Sequence, residues 1–187
     1  MKRQTSHLPL PIQEVEPTLP DILAHGLHVV FCGINPGADA ALAGHHFLGR
    51  GNRFWPVLHL AGFTPHLLAP ADDWSAPDFG LGLTTAVARP TSRADQIQKE
   101  EFDEAAAGLR AKLEFFKPLY VAFLGKAAYA AMSGKRDLAW GEQPERFGGA
   151  RVWILPNPSG LNRGFTKERL VDAYSELRRV VIASSLR

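Results

Sequence analysis

Leu27-His28-Val29-Val30-Phe31-Cys32-Gly33-Ile34-Asn35-Pro36-Gly37 decides the fold. Leu27–Cys32 is apolar almost throughout rather than at every second position. That pattern belongs to a strand covered on both faces, as in parallel sheets. Gly33 leads out of the strand, and Asn35-Pro36-Gly37 makes a turn at its carboxyl end. Leu119–Leu124 (LYVAFL) repeats the continuous apolar pattern, and Arg151–Leu155 (RVWIL) gives a third strand. Gly80–Val87 is a weaker, glycine-bearing strand.

Between these runs the periodicity changes. Asn52–Ala61 reads as a helix, with Asn52 as N-cap, Pro56 in the first turn and Gly62 at its end. Across Ser92–Phe116, apolar Phe102, Ala105, Ala106, Leu109, Leu113 and Phe116 recur at spacings of three and four. Gly125 opens a helix running to about Met132, and Phe165–Ala183 is amphipathic. Strands alternating with helices predict an α/β fold: a single three-layer αβα domain with a central, mainly parallel sheet. Residues 1–19 read as a flexible, proline-rich arm and 20–187 as the folded domain.

The 187 residues, 45% hydrophobic and 21% charged, can bury a full core. A formal net charge of only +2 argues against a uniformly basic, DNA-wrapping protein but leaves room for a local basic patch. Cys32 is the single cysteine, which excludes an intrachain disulfide and clusters held by several thiolates. No apolar run reaches the ~20 residues of a membrane span. No membrane partner is expected, the default location is cytoplasmic, and the default state is a monomer.

A second loop matches the first. Asn157-Pro158-Ser159-Gly160-Leu161-Asn162-Arg163 follows RVWIL as Gly33-Ile34-Asn35-Pro36-Gly37 follows LHVVFC. Two polar Asn-Pro turns at strand mouths suit a substrate site between adjacent βα loops. Taken alone, either loop is more simply an ordinary tight turn, and a lone loop leucine more often folds back on the core. Yet Leu161 between Gly160 and polar Asn162, with Arg163 close behind, has the composition of a wedge that enters a base stack. The stretch Gly44–Trp55 (GHHFLGRGNRFW) offers Phe47 for stacking and arginines for phosphate. Adjacent His45 and His46 cannot share a helix face, so no metal site is expected. Gly125-Lys126 lacks the rest of a Walker loop, and Asp78-Phe79-Gly80 lacks the other kinase motifs.

FCGINPG, GNRFW, GLTTAVARPT, FLGKAAY and VWILPNPSGLNR, in this order, resemble the mismatch-specific uracil-DNA glycosylases and thymine-DNA glycosylases. These form a branch of the uracil-DNA glycosylase superfamily, and the resemblance covers roughly residues 20–180. It implies a uracil-DNA glycosylase-like catalytic domain over 20–187. The implied reaction is hydrolysis of the N-glycosidic bond of uracil mispaired with guanine, leaving an abasic site. The implied partner is double-stranded DNA with G·U or G·T mismatches, and no cofactor is implied. By matching position, Asn35 orients the attacking water and Phe47 stacks on the flipped base. Backbone groups around Ile34 and Phe47 bond its polar edge, and Asn157 lines the same pocket. Gly160, Leu161 and Arg163 form the wedge and contact the orphaned guanine.

Flipping a base out of the duplex costs least where the pair is already weak, which favours G·U over A·U. Cleavage must then stabilise a cationic sugar and an anionic leaving base, the latter by loop N–H donors. An amide positions water but is no general base. Asp39, just past the first loop, and Asp95 are the candidate carboxylates, although Asp95 is more simply a helix cap. Neither signature loop holds a lysine, so a Schiff-base lyase step is not expected and a monofunctional hydrolase is. The alternatives are a non-catalytic nucleotide- or phosphate-binding α/β protein and a hydrolase of nucleoside-like small molecules. Neither needs a wedge.

Overall fold

The computed structural model describes residues 18–185, so residues 1–17 of the expected arm lie outside the described residues. Thr18 is exposed, whereas Leu19 is buried and borders the main cleft.

The elements follow the apolar runs. Strands β1 (Val29–Gly33), β2 (Leu81–Thr85), β3 (Tyr120–Leu124), β4 (Gly141–Phe147) and β5 (Ala150–Leu155) form one sheet in the order β2-β1-β3-β5-β4. Its pairs are parallel except β4 with β5. Helices α1 (Ala38–Ala43), α2 (Phe54–Leu60), α3 (Lys99–Phe116), α4 (Lys126–Ser133) and α5 (Lys167–Ser185) flank it. No helix among the described residues is long and apolar enough to cross a membrane.

Alternation of side chains along the parallel strands divides the core into two. Val29, Phe31, Tyr120, Ala122 and Leu124 face α2 and α5, whose Val57, Leu58, Tyr174 and Leu177 complete that half. Val30, Cys32, Val121 and Phe123 face α3 and α4 across Leu109, Leu113 and Tyr129. Both faces of the central parallel strands are thus dry, which is why LHVVFC and LYVAFL are apolar almost throughout. Burial also pushes the Cys32 thiol well above its ordinary pKa, so it is inert core.

Four features depart from the expectations. Helix α2 starts at Phe54 with Arg53 at the cap position, and Asn52 lies one residue earlier, its Oδ1 accepting the Phe54 N–H at 3.0 Å. The long helix begins at Lys99, not near Ser92. The Gln98 N–H donates to the Glu101 carboxylate at 2.9 Å and starts it, while Ala94–Gln96 form a short 3-10 turn on the cleft rim. Asp95 therefore does not cap α3. The edge strand β4 (GEQPERF) is too polar to read as a strand. It pairs on one side only, and its register shifts between Glu142 and Arg146 around Pro144. The one-and-a-half-turn α1 is too short to show a period.

Candidate active site

The order of the sheet places the site. Chain connections reverse direction on either side of β1, so the carboxyl ends of β1 and β3 mark the switch point where open α/β sheets bind ligands. A cleft of about 790 Å³ opens there. It is bordered by Gly33–Ala40, His46–Arg50, Asn52, Thr91–Arg93, Asp95, Leu124, Asn157 and Ser159–Asn162. Both Asn-Pro loops thus reach one cleft, though not as adjacent loops: β3 lies between β1 and β5. Gly125, just after β3, lies between them. It sits at φ +105°, and a Cβ there would lie 3.7 Å from Asn157 Cβ and 3.9 Å from Ile34 Cδ1.

The first loop is held by the segment after β2. The amides of Ala86, Val87 and Thr91 donate to the carbonyls of Gly33, Ile34 and Pro36. Asn35 Nδ2 donates to Arg89 O at 3.0 Å, Pro36 O at 3.1 Å and Thr91 Oγ1 at 2.7 Å. Two of those partners are carbonyls that only accept, which fixes the amide orientation. Oδ1 makes no bond among the described residues and remains as an acceptor for a water proton. Thr91, whose hydroxyl in turn donates to Arg93 O at 2.8 Å, ends the GLTTAVARPT motif but was assigned no role from sequence.

The second loop offers the opposite polarity. Asn157 Oδ1 accepts the Ser159 N–H at 2.9 Å, an Asx turn that leaves Nδ2 as a donor with no partner among the described residues. One cleft therefore holds an amide acceptor from Asn35 and an amide donor from Asn157.

Phe47 forms an aromatic wall. It takes a left-handed backbone at φ 57°, rare for a bulky residue. Its ring stacks on Phe54 at 3.7 Å between centroids and meets Trp55 edge-on at 6.4 Å. The preceding His46 turns inward and is 1% exposed. Its Nε2–H donates to Pro20 O at 2.8 Å, and its carbonyl accepts from Trp55 Nε1. Burial lowers its pKa, so the ring is neutral at neutral pH. His45 pairs with buried Asp73 at 3.4 Å. Among the described residues no group of three or more His, Cys, Asp and Glu is placed to hold a metal ion.

The remaining predicted residues divide. Leu161 is 75% exposed and does not fold back on the core. Arg163 is exposed and makes no ion pair among the described residues. Gly160 packs so closely on Gly51 that a Cβ would fall 2.8 Å from the Gly51 carbonyl oxygen. Asp39, in the first turn of α1, and Asp95 both border the cleft and are exposed. Asp95 is held by Arg93 through Nε at 3.1 Å and Nη2 at 2.7 Å. That contact draws its carboxyl below the ordinary value and makes it a weaker base. Arg53, expected to contact phosphate, instead spends its guanidinium on carbonyls of the second loop.

The architecture has a solved counterpart. A solution NMR structure from Methanosarcina acetivorans, described as that of a candidate uracil DNA glycosylase, superposes with a TM-score of 0.59 at 20% identity. The match covers 88% of this chain and 98% of that one, a likeness of fold. The sequence itself carries the family. Residues 20–178, which span both Asn-Pro loops, Phe47 and every strand, match the model of the uracil DNA glycosylase superfamily, and the chain belongs to that superfamily.

Proposed function

We propose that this protein is a monofunctional, mismatch-specific uracil-DNA glycosylase acting on uracil opposite guanine in double-stranded DNA. Superfamily membership supports uracil glycosylase activity in general. The observation that carries the finer reading is one cleft shared by Asn35, Phe47 and Asn157, with a bare Leu161 at its edge. A binder of free nucleotides has no use for an exposed leucine on a tied-down loop.

In this reading Leu161 enters the stack as the uracil leaves it, and Arg163 meets the guanine left behind. The flipped base lies on the open face of Phe47, whose other face is backed by Phe54. Asn157 Nδ2 and loop N–H groups near Ile34 and Phe47 donate to the pyrimidine oxygens. Charge arriving on the leaving base is stabilised there. Asn35 Oδ1 holds a water on the sugar side. Since an amide takes up no proton, the step leans on the leaving group and on any carboxylate in reach. Asp39 is the less encumbered of the two, because Arg93 already occupies Asp95. Thymine and etheno-cytosine opposite guanine are secondary substrates to be compared.

The test is a comparison of initial rates on otherwise identical duplexes carrying G·U, A·U and G·T, and on single-stranded uracil, each developed with alkali. Fastest cleavage of G·U supports the reading, and equal rates on G·U and A·U would remove mismatch specificity. A borohydride step that traps a covalent protein–DNA adduct would contradict monofunctional hydrolysis.

A further inference from the structure

Arg53 makes the second loop a fixed part rather than a free one. It stands at the amino end of α2, and its side chain bonds four carbonyls of the loop after β5. Nε donates to Pro158 O at 3.3 Å and Nη1 to Phe165 O at 2.6 Å. Nη2 donates to both Ser159 O and Asn162 O at 2.9 Å. The Arg53 backbone N–H adds a bond to Pro158 O at 3.0 Å. These carbonyls span the loop, so it wraps around one planar cation.

The other bonds inside the loop are local. Leu161 N–H donates to Ser159 Oγ, Asn162 N–H to Ser159 O, and Gly164 N–H to Asn162 Oδ1. They shape the loop, as does Asn162 Nδ2 donating to Asn157 O at 2.8 Å, while the Tyr174 hydroxyl, donating to Pro156 O at 3.4 Å, holds only its base. Carbonyls turned toward the guanidinium leave the side chains of Leu161 and Arg163 exposed. Arg53 also precedes Phe54, the ring that backs Phe47. One residue thus links the stacking wall to the loop that carries Leu161.

We infer that Arg53 is a positioning residue that sets the distance between the Phe47 wall and the Leu161 wedge, so that base capture and wedge insertion occur together. The inference rests on the glycosylase reading proposed above. Lysine cannot substitute, because a point ammonium has no planar fork to satisfy four carbonyls in fixed directions. Displacing a positioned group by about 1 Å can cost roughly 100-fold in rate.

The experiment is a double-mutant cycle on a G·U duplex under single-turnover conditions, using Arg53→Lys, Leu161→Ala and the pair, with thermal melts of each. Arg53→Lys keeps the charge and is the mild variant; Arg53→Ala, which vacates the guanidinium site, is the second. The expected result is a loss of about 100-fold for Arg53→Lys. Leu161→Ala should add less than threefold in that background, because a misplaced wedge has little left to lose. Millimolar guanidinium should partly restore Arg53→Ala but not Leu161→Ala. Losses that multiply in the pair, or an Arg53→Lys enzyme as fast as the parent, would overturn the inference while leaving the glycosylase reading intact. A parent protein that releases no uracil from any duplex would remove both.

Discussion

Leu161→Ala separates wedge from scaffold. The side chain is 75% exposed in the free protein. Its truncation should therefore change stability by no more than about 0.5 kcal/mol. Fully burying a leucine contributes about 1.5–3 kcal/mol. If the duplex covers the three-quarters now exposed, insertion contributes about 1–2 kcal/mol, or roughly 5- to 30-fold in rate. The assay is single-turnover release of uracil from a G·U duplex and from the same strand unpaired, with a thermal melt as control. The expected outcome is loss of that size on duplex, little change on the single strand, and an unmoved melting temperature. An equal loss on both substrates refutes the wedge. A drop of several degrees in Tm would mean that the leucine supports the fold instead.

Other substitutions probe the loops from different sides. Gly160→Ala drives a methyl against the Gly51 carbonyl. It should cost about 1–3 kcal/mol by overpacking, read in a denaturant melt, and should slow duplex cleavage. Asn35→Asp replaces the Nδ2 donor with an oxygen facing Arg89 O and Pro36 O. Those contacts disfavour the ionised carboxylate, so the variant should be slower than the parent at pH 7 despite gaining a nominal base; a faster enzyme would contradict the geometry. His46 is neutral and its pKa is depressed by burial. The unfolded chain then binds the extra proton first, so stability should fall as pH drops below about 6.5, the ordinary histidine value. Melts at pH 7.5 and 5.5 should show a larger drop for the parent than for His46→Gln. Removing Arg93 lifts the cause that depresses Asp95. If Asp95 acts as an anion, the acid limb of the rate profile should move to higher pH in Arg93→Ala, and an unmoved limb argues for Asp39.

The sheet was legible because both its faces are buried. Continuous apolar runs announced β1, β3 and β5, and the spacing from Phe102 to Phe116 announced α3. The edge strand β4 was hidden because one face meets water and Pro144 interrupts it. The two Asn-Pro loops were legible as turns, and their family resemblance named the same superfamily that the chain matches. Their convergence on one cleft across β3 was not, because the order of strands in the sheet leaves no mark in the residue pattern. Thr91 and Arg53 were missed for a shared reason. Their roles depend on partners far away along the chain, the Asn35 amide for Thr91 and four backbone carbonyls for Arg53, and such pairings leave no mark in a residue pattern. Arg53 in particular carries the charge expected of a phosphate contact, while its geometry is that of an internal clamp.

The most direct measurement is the amount of free uracil released from a duplex with a single G·U pair, alongside alkali-induced scission of the same strand. One uracil per duplex is expected, with scission at that position alone and loss of both in an Asn35→Ala variant that folds as the parent does. Absence of free uracil from every uracil-containing duplex, or full activity in Asn35→Ala, would contradict the glycosylase reading.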